Sequence, residues 1–230
     1  MKIILSIETA TPVCSVALHQ EGKILGIYEL HSEKSHSEQL SVLIEQICKQ
    51  NNLTLKEISA VAVSQGPGSY TGLRIGTATA KGLCFALQKP LIAVNTLEAM
   101  VWQISDWVEP NTLLCPMIDA RRMEVYCLLA NPEKEILEPT QALIVEESSF
   151  EKYLSEQKIV FFGNGASKCK DILKHQNAIF WENLHPSARS IGQIAWQKYQ
   201  SAVFENLIYF EPFYLKDFVG MQPAVNKLAL

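Results

Sequence analysis

Residues 64–83, SQGPGSYTGLRIGTATAKGL, constrain the fold more than any other stretch. They follow an apolar run at 60–63 that reads as a buried strand, pass through Gly66-Pro67-Gly68, and continue without proline. That order is strand, tight turn, helix. Gly68 can take a positive φ at little cost, and Pro67 stiffens the turn. Ser69 or Thr71 caps the helix. Gly72, Gly76 and Ala80 then recur every four residues, so one helix face is almost bare of side chains. Interior glycine costs about 1 kcal/mol relative to alanine. Close approach by another backbone is the usual compensation. The free N–H groups at the helix start suit an anion. A packed crossover helix under a loop without chemistry accounts equally for the same residues. A P-loop is excluded, because no glycine precedes Lys-Ser or Lys-Thr. The G-x-S-x-G elbow is absent, because Ser69 follows Gly68 directly.

On either side, the apolar pattern predicts strands at 2–7, 15–18 and 24–30. A capping box at Ser35-His36-Ser37-Glu38 opens a helix with Leu40, Leu43, Ile44 and Ile47 on one face. After the glycine helix come a strand at 91–94 and a helix from 96 to about 107. The second half repeats the order: strands at 113–118, 125–130 and 143–145, with a weaker run at 136–137. A helix at 148–155, a strand at 159–162, a helix at 166–173, a strand near 178–180 and a helix at 188–203 follow. Alternating strands and helices after leading hairpins predict mixed sheets flanked by helices, an α/β chain in two similar lobes. No sequence repeat accompanies that similarity. Glu109-Pro110-Asn111 marks the expected junction, giving residues 1–109 and 110–230. The tail from 204 is rich in Phe and Tyr and is expected to pack on a lobe.

Composition removes several classes of function. The net charge is −4 and the basic residues are scattered, with Arg121-Arg122 and Lys168/Lys170/Lys174 the densest groups. Neither is long enough to hold nucleic acid alone, so an RNA role needs a partner. The six cysteines form no C-x-x-C and several sit in apolar runs, which fits reduced core thiols in a cytoplasmic protein. The start MKIILSIETA meets Glu8 too early for a signal peptide, and no apolar run reaches membrane-spanning length. The five histidines give no H-E-x-x-H or other close pair, so no metal site is expected.

Three turns carry candidate chemistry. Glu8, with Thr9, Thr11 and Ser15, lies between the first two strands. This group either addresses phosphates or a metal, or is ordinary turn chemistry. Asp119 ends a strand ahead of Arg121-Arg122, as a local ion pair or as the lining of a cleft. Gly163-Asn164-Gly165 precedes a helix and offers a weak phosphate or adenosine turn. No nucleophile–base pair follows from spacing, so no catalytic residue is nominated.

IETATPVCSVAL, SHSEQL, the glycine-helix motif, PLIAVNTLEAM, MIDARRMEVY, FGNGA and FYLKDF together resemble the TsaB family. These are paralogues of the TsaD transferases within the actin-like ATPase superfamily. The glycine helix and DARRMEVY are the specific pieces. The resemblance implies a two-lobed actin-like (ribonuclease H-like) fold. It also implies a part in forming threonylcarbamoyladenosine in tRNA, as a non-catalytic scaffold. The implied partners are a TsaD-like catalytic subunit and a TsaE-like ATPase, with tRNA met only through the complex. No cofactor and no membrane are implied, and the free chain is expected to form a homodimer. In TsaD-type relatives two histidines at i and i+4 hold a metal where this chain has Thr96 and Met100, which cannot replace them. Lys216 stands where relatives often carry Arg, and lacks the bidentate fork. Glu8, Thr9, Gly66, Gly68, Ser69, Asp119, Gly163 and Gly165 would then form a vestigial nucleotide cleft. Leu40, Leu43, Ile44 and Ile47, with Gly72, Leu73, Gly76, Ala80, Cys84 and Leu87, are expected to line the partner surface. An independent actin-like ATPase or kinase is the alternative, and a metallopeptidase is disfavoured by the missing histidines.

Overall fold

Among the described residues, hydrophobic alternation and near-continuous apolar runs build ten strands in two five-stranded sheets. The computed structural model describes residues 2–31 and 36–216. The first sheet comprises β1 (Ile3–Glu8), β2 (Cys14–Gln20), β3 (Lys23–Leu30), β4 (Ala60–Gly66) and β5 (Leu91–Asn95), in the order β3-β2-β1-β4-β5. The second comprises β6 (Thr112–Asp119), β7 (Glu124–Ala130), β8 (Ile136–Ile144), β9 (Lys158–Phe162) and β10 (Ala178–Trp181), in the order β10-β9-β6-β7-β8. In each, the first three strands pair antiparallel and the last two join parallel to the first. The two halves therefore share one topology without sharing sequence.

Five helices cover the sheets: α1 (His36–Gln50), α2 (Tyr70–Leu87), α3 (Thr96–Ile104), α4 (Glu151–Leu154) and α5 (Ala188–Gln200). The predicted capping box begins at Ser35, which lies outside the described residues. Of the two candidate caps for α2, Ser69 is the one used: its Oγ accepts from the Gly72 amide at 3.2 Å. α1 and α2 cover one face of the first sheet through Leu40, Leu43, Ile44, Ile47, Ala80 and Cys84. α3 lies between the sheets. Its Leu97, Met100, Val101 and Ile104 join Leu114, Ile118, Leu128, Val160 and Phe162 of the second sheet, while Ala99 packs with Ile4, Ala62 and Ile92 of the first.

Four expectations need correction. The run at 136–137 and the first two residues of the run at 143–145 belong to one strand, β8, whose register shifts twice against β7. The helix expected at 148–155 is a single turn, α4. The helix expected at 166–173 is a 3-10 turn, Ser167–Cys169, followed by further turns. That segment buries Ala166, Cys169 and Leu173, too little apolar face to offset the nucleation cost of a helix. The division at 110 follows the sheets but not the helices. α5 packs across β1, β2, β4 and β5 of the first sheet beside α3. The segment after it also returns to the first lobe, where Glu205 N donates to Leu91 O at 2.9 Å.

Candidate functional site

A cleft of about 750 Å³ opens where the C-terminal ends of β1, β4 and β6 face one another across the lobes. The turn after β1 supplies Ala10, Thr11 and Pro12, and the start of α2 supplies Gly68, Ser69, Tyr70 and Thr71. The second lobe supplies Asp119, Arg121, Arg122, Glu124, Tyr126 and Asn164, and residues 213–216 form a further wall.

Only part of the predicted nucleotide constellation reaches this space. Gly68, Ser69 and Asp119 line it. Glu8 and Thr9 are fully buried beneath it. Glu8 Oε1 accepts from the Ala10 amide at 2.6 Å, while its Oε2 and the nearby Ser64 Oγ have no partner within hydrogen-bonding distance. Burial pushes the Glu8 carboxyl from 4.5 up to about 7, against the pull of the Ala10 amide that it accepts from. Gly66 has φ +117°, and a Cβ there would lie 2.7 Å from Phe213 O. Gly163 and Gly165 are buttresses: Cβ atoms on them would meet Met117 O at 2.4 Å and Ile118 C at 2.8 Å. Between them, Asn164 Oδ1 accepts from Asp119 N at 3.1 Å. Asp119 is not free for a cation either, because its carboxylate pairs with Lys168 and accepts from the Arg121 amide at 3.0 Å. Lys168 also donates to the Arg122 and Glu124 carbonyls, each at 2.7 Å. One carboxylate enclosed and the other tied to lysine do not fit a magnesium nucleotide of the actin-like kind. Sequence reasoning missed Tyr70, Tyr126 and Tyr214 as parts of this cleft, and Lys168 as the partner of Asp119. Nothing in their local pattern separates them from surface residues.

The bare face of α2 points inward. A Cβ on Gly72 would lie 2.1 Å from Thr9 O, and one on Gly76 would lie 2.2 Å from Thr9 Oγ1. Thr9 Oγ1 also donates to Gly72 O at 2.9 Å. The close-approaching backbone is thus this chain's own β1–β2 turn. This corrects the predicted partner surface. Leu40, Leu43, Ile44, Ile47, Gly72, Leu73, Gly76, Ala80 and Cys84 are all buried in the first lobe, and Leu87 is half-buried. The opposite faces are exposed: Ala78, Gly82, Phe85 and Ala86 on α2, and Val42, Glu45 and Lys49 on α1. Phe85 is 79% exposed. Between the helices runs an apolar groove of about 460 Å³ lined by Leu53, Leu55, Thr79 and Leu83, with Ile44 and Cys48 at its floor.

All six cysteines are buried and free. Burial pushes the Cys14, Cys84 and Cys169 thiols up to about 11. Among the described residues no three His, Cys, Asp or Glu side chains converge on a metal position. No described helix is long and apolar enough to cross a membrane.

A profile of the family described as TsaD, tRNA N6-adenosine threonylcarbamoyltransferase, matches residues 14–229. The tRNA threonylcarbamoyladenosine biosynthesis protein TsaB of Escherichia coli is 30% identical over 97% of this chain and 99% of that protein. The chain belongs to the TsaB family. A solved Pseudomonas aeruginosa structure, described as similar to the peptidase YeaZ, superposes with a TM-score of 0.83 at 25% identity. It covers 94% of this chain and 100% of that one. The activator of 2-hydroxyisocaproyl-CoA dehydratase from Clostridium difficile, solved with ADPNP, shares the fold at TM-score 0.50 and 8% identity. It covers 89% of this chain and 99% of that one. The architecture is the two-lobed actin-like fold. In this TsaB-family chain the two positions expected to carry histidines in TsaD-type relatives are core. Thr96 and Met100 are fully buried, and Met100 packs in the α3 cluster against the second sheet.

Proposed function

We propose that this chain is a non-catalytic subunit of a complex that forms threonylcarbamoyladenosine in tRNA, acting in the cytoplasm. It docks a TsaD-like catalytic subunit, a TsaE-like ATPase joins the pair, and tRNA is met through the complex. The observation that carries the reading is the fate of Thr96 and Met100. Where a catalytic relative would present two metal-holding imidazoles, this chain has a hydroxyl and a thioether sealed in the interlobe core. Neither group supplies the imidazole nitrogen that a Zn- or Fe-type ion takes from a histidine pair. The cleft carboxylates support the same reading against an independent ATPase, since Glu8 is enclosed and Asp119 is ion-paired.

The docking surface is assigned to the outward faces of α1 and α2. An exposed apolar strip that includes Phe85, with small residues beside it and an apolar groove alongside, is what a helical partner needs. Ala78, Gly82 and Ala86 allow a facing helix to come close, giving a four-helix arrangement. The same face can pair with a second copy, so the homodimer competes with the heterodimer.

The test uses Gly82→Arg. No described atom outside the local helix backbone lies within 4 Å of a Cβ at Gly82, so the variant should keep wild-type circular dichroism. It should lose binding to the TsaD-like subunit by at least about 100-fold, through steric block and a desolvated charge. Reconstituted tRNA modification should fall with it. Wild-type affinity in a folded Gly82→Arg protein would remove this face from the interface. Robust ATP hydrolysis by the isolated chain would overturn the non-catalytic assignment.

A further inference from the structure

The segment after α5 crosses from one lobe to the other at the cleft. Lys81 of α2 donates to Phe210 O at 2.9 Å and Ile208 O at 3.3 Å. Phe210 is buried in the first lobe's core. Phe213 N donates to Gln65 O at 2.7 Å, next to Gly66, whose lack of a side chain admits the Phe213 carbonyl. Tyr214 lies on Tyr70 with ring centroids 4.9 Å apart, and the Arg74 guanidinium caps Tyr70 at 4.2 Å. Two residues further, the chain leaves the first lobe: the Lys216 ammonium pairs with the Glu124 carboxylate at the start of β7. Phe213, Tyr214, Leu215 and Lys216 all line the cleft.

We propose that residues 210–216 are a built-in tie that holds the two lobes at a fixed opening and so sets access to the cleft. In two-lobed proteins a ligand between the lobes commonly makes the contacts that close them. Here the chain's own peptide spans the mouth. The lobes are already joined at the base by α3, whose apolar residues pack on both sheets. The tie joins them at the cleft, at two points far apart in sequence. Its first-lobe end is built for permanence: a buried Phe, a backbone hydrogen bond and two lysine-held carbonyls. Among the described residues its second-lobe end is one partly exposed ion pair, the contact most readily released. Gly66 gains a role that its turn alone does not require. Any side chain there would displace the Phe213 carbonyl and lift the segment.

A charge swap tests this through hydrogen exchange on the full chain. Lys216→Glu and Glu124→Lys each place like charges face to face. Each should speed exchange at the Phe213 amide and across the 119–124 turn about tenfold, leaving β1 and β6 protected. The Lys216→Glu/Glu124→Lys double variant should restore protection at both places. Unchanged exchange in the single variants overturns the proposal. So does a double variant that stays as open as the singles. Loss of protection throughout the molecule would also overturn it, because the segment would then be ordinary core rather than a tie.

Discussion

Gly72 and Gly76 sit in the same helix as Gly82, yet the structure predicts opposite outcomes when each becomes alanine. Helix propensity alone favours every one of these changes by about 1 kcal/mol. At Gly82 nothing packed against the helix opposes it, because no described atom outside its own stretch of helix backbone lies within 4 Å of the new methyl. Gly82→Ala should therefore stabilise by roughly 0.5–1 kcal/mol. At Gly72 the methyl would stand 2.1 Å from Thr9 O, a backbone atom. Relieving that clash moves the β1–β2 turn and breaks the Thr9 Oγ1 to Gly72 O bond of 2.9 Å. Overpacking at about 1–3 kcal/mol and a hydrogen bond at about 1 kcal/mol outweigh the propensity gain. Gly72→Ala should thus destabilise by roughly 2 kcal/mol. Gly76→Ala meets the Thr9 hydroxyl at 2.2 Å but the Thr9 Cβ only at 3.5 Å. Thr9→Ala should therefore relieve the Gly76→Ala clash itself, but recover only the hydrogen-bond share of the Gly72→Ala cost, about 1 kcal/mol, because the clash with the Thr9 carbonyl remains. Urea unfolding followed by circular dichroism gives these numbers at constant m-value. If Gly72→Ala stabilises as Gly82→Ala does, the contact with Thr9 does not explain the bare helix face.

Two buried titrations oppose one another and can be separated by mutation. Glu8 is raised from 4.5 to about 7 by burial. The folded state then holds its proton longer than the unfolded chain, so stability from this group is full below 4.5 and falls by roughly 3 kcal/mol as pH rises to 7. His19 is lowered from 6.5 to about 4 by burial, so its contribution is full above 6.5 and is lost as pH falls towards 4. Between 4.5 and 6.5 the slopes offset each other. Glu8→Gln should leave only the histidine slope, with stability rising through that window; parallel curves for variant and wild type would contradict this. Gly192→Ala should destabilise by about 1–3 kcal/mol in urea unfolding, because its methyl would stand 2.0 Å from Nδ1 of the fully buried His19 ring. Wild-type stability in that variant would mean α5 is not seated on β2 as described.

Periodicity and turn chemistry, read from the sequence alone, located the strands of both sheets and their shared topology. Runs such as 60–63 and 113–118 are apolar on both faces, and only a strand covered by helices on both sides accepts that. The same pattern placed α2, and the resemblance placed the chain in its family. Local pattern failed where few buried positions support an element, as at 166–173, because helix formation there depends on packing that the sequence does not display. It failed again in choosing which side of α2 faces outward. Both sides are apolar or small, and the choice rests on Thr9, more than sixty residues away in sequence. Glu8 and Asp119 were identified as candidate cleft residues, but one turns beneath the floor and the other is taken by Lys168. Burial and ion pairing are properties of the assembled lobes. The crossing of 210–216 from Gln65 to Glu124 is likewise a fact of tertiary structure, since an aromatic-rich tail signals that it packs without signalling on what.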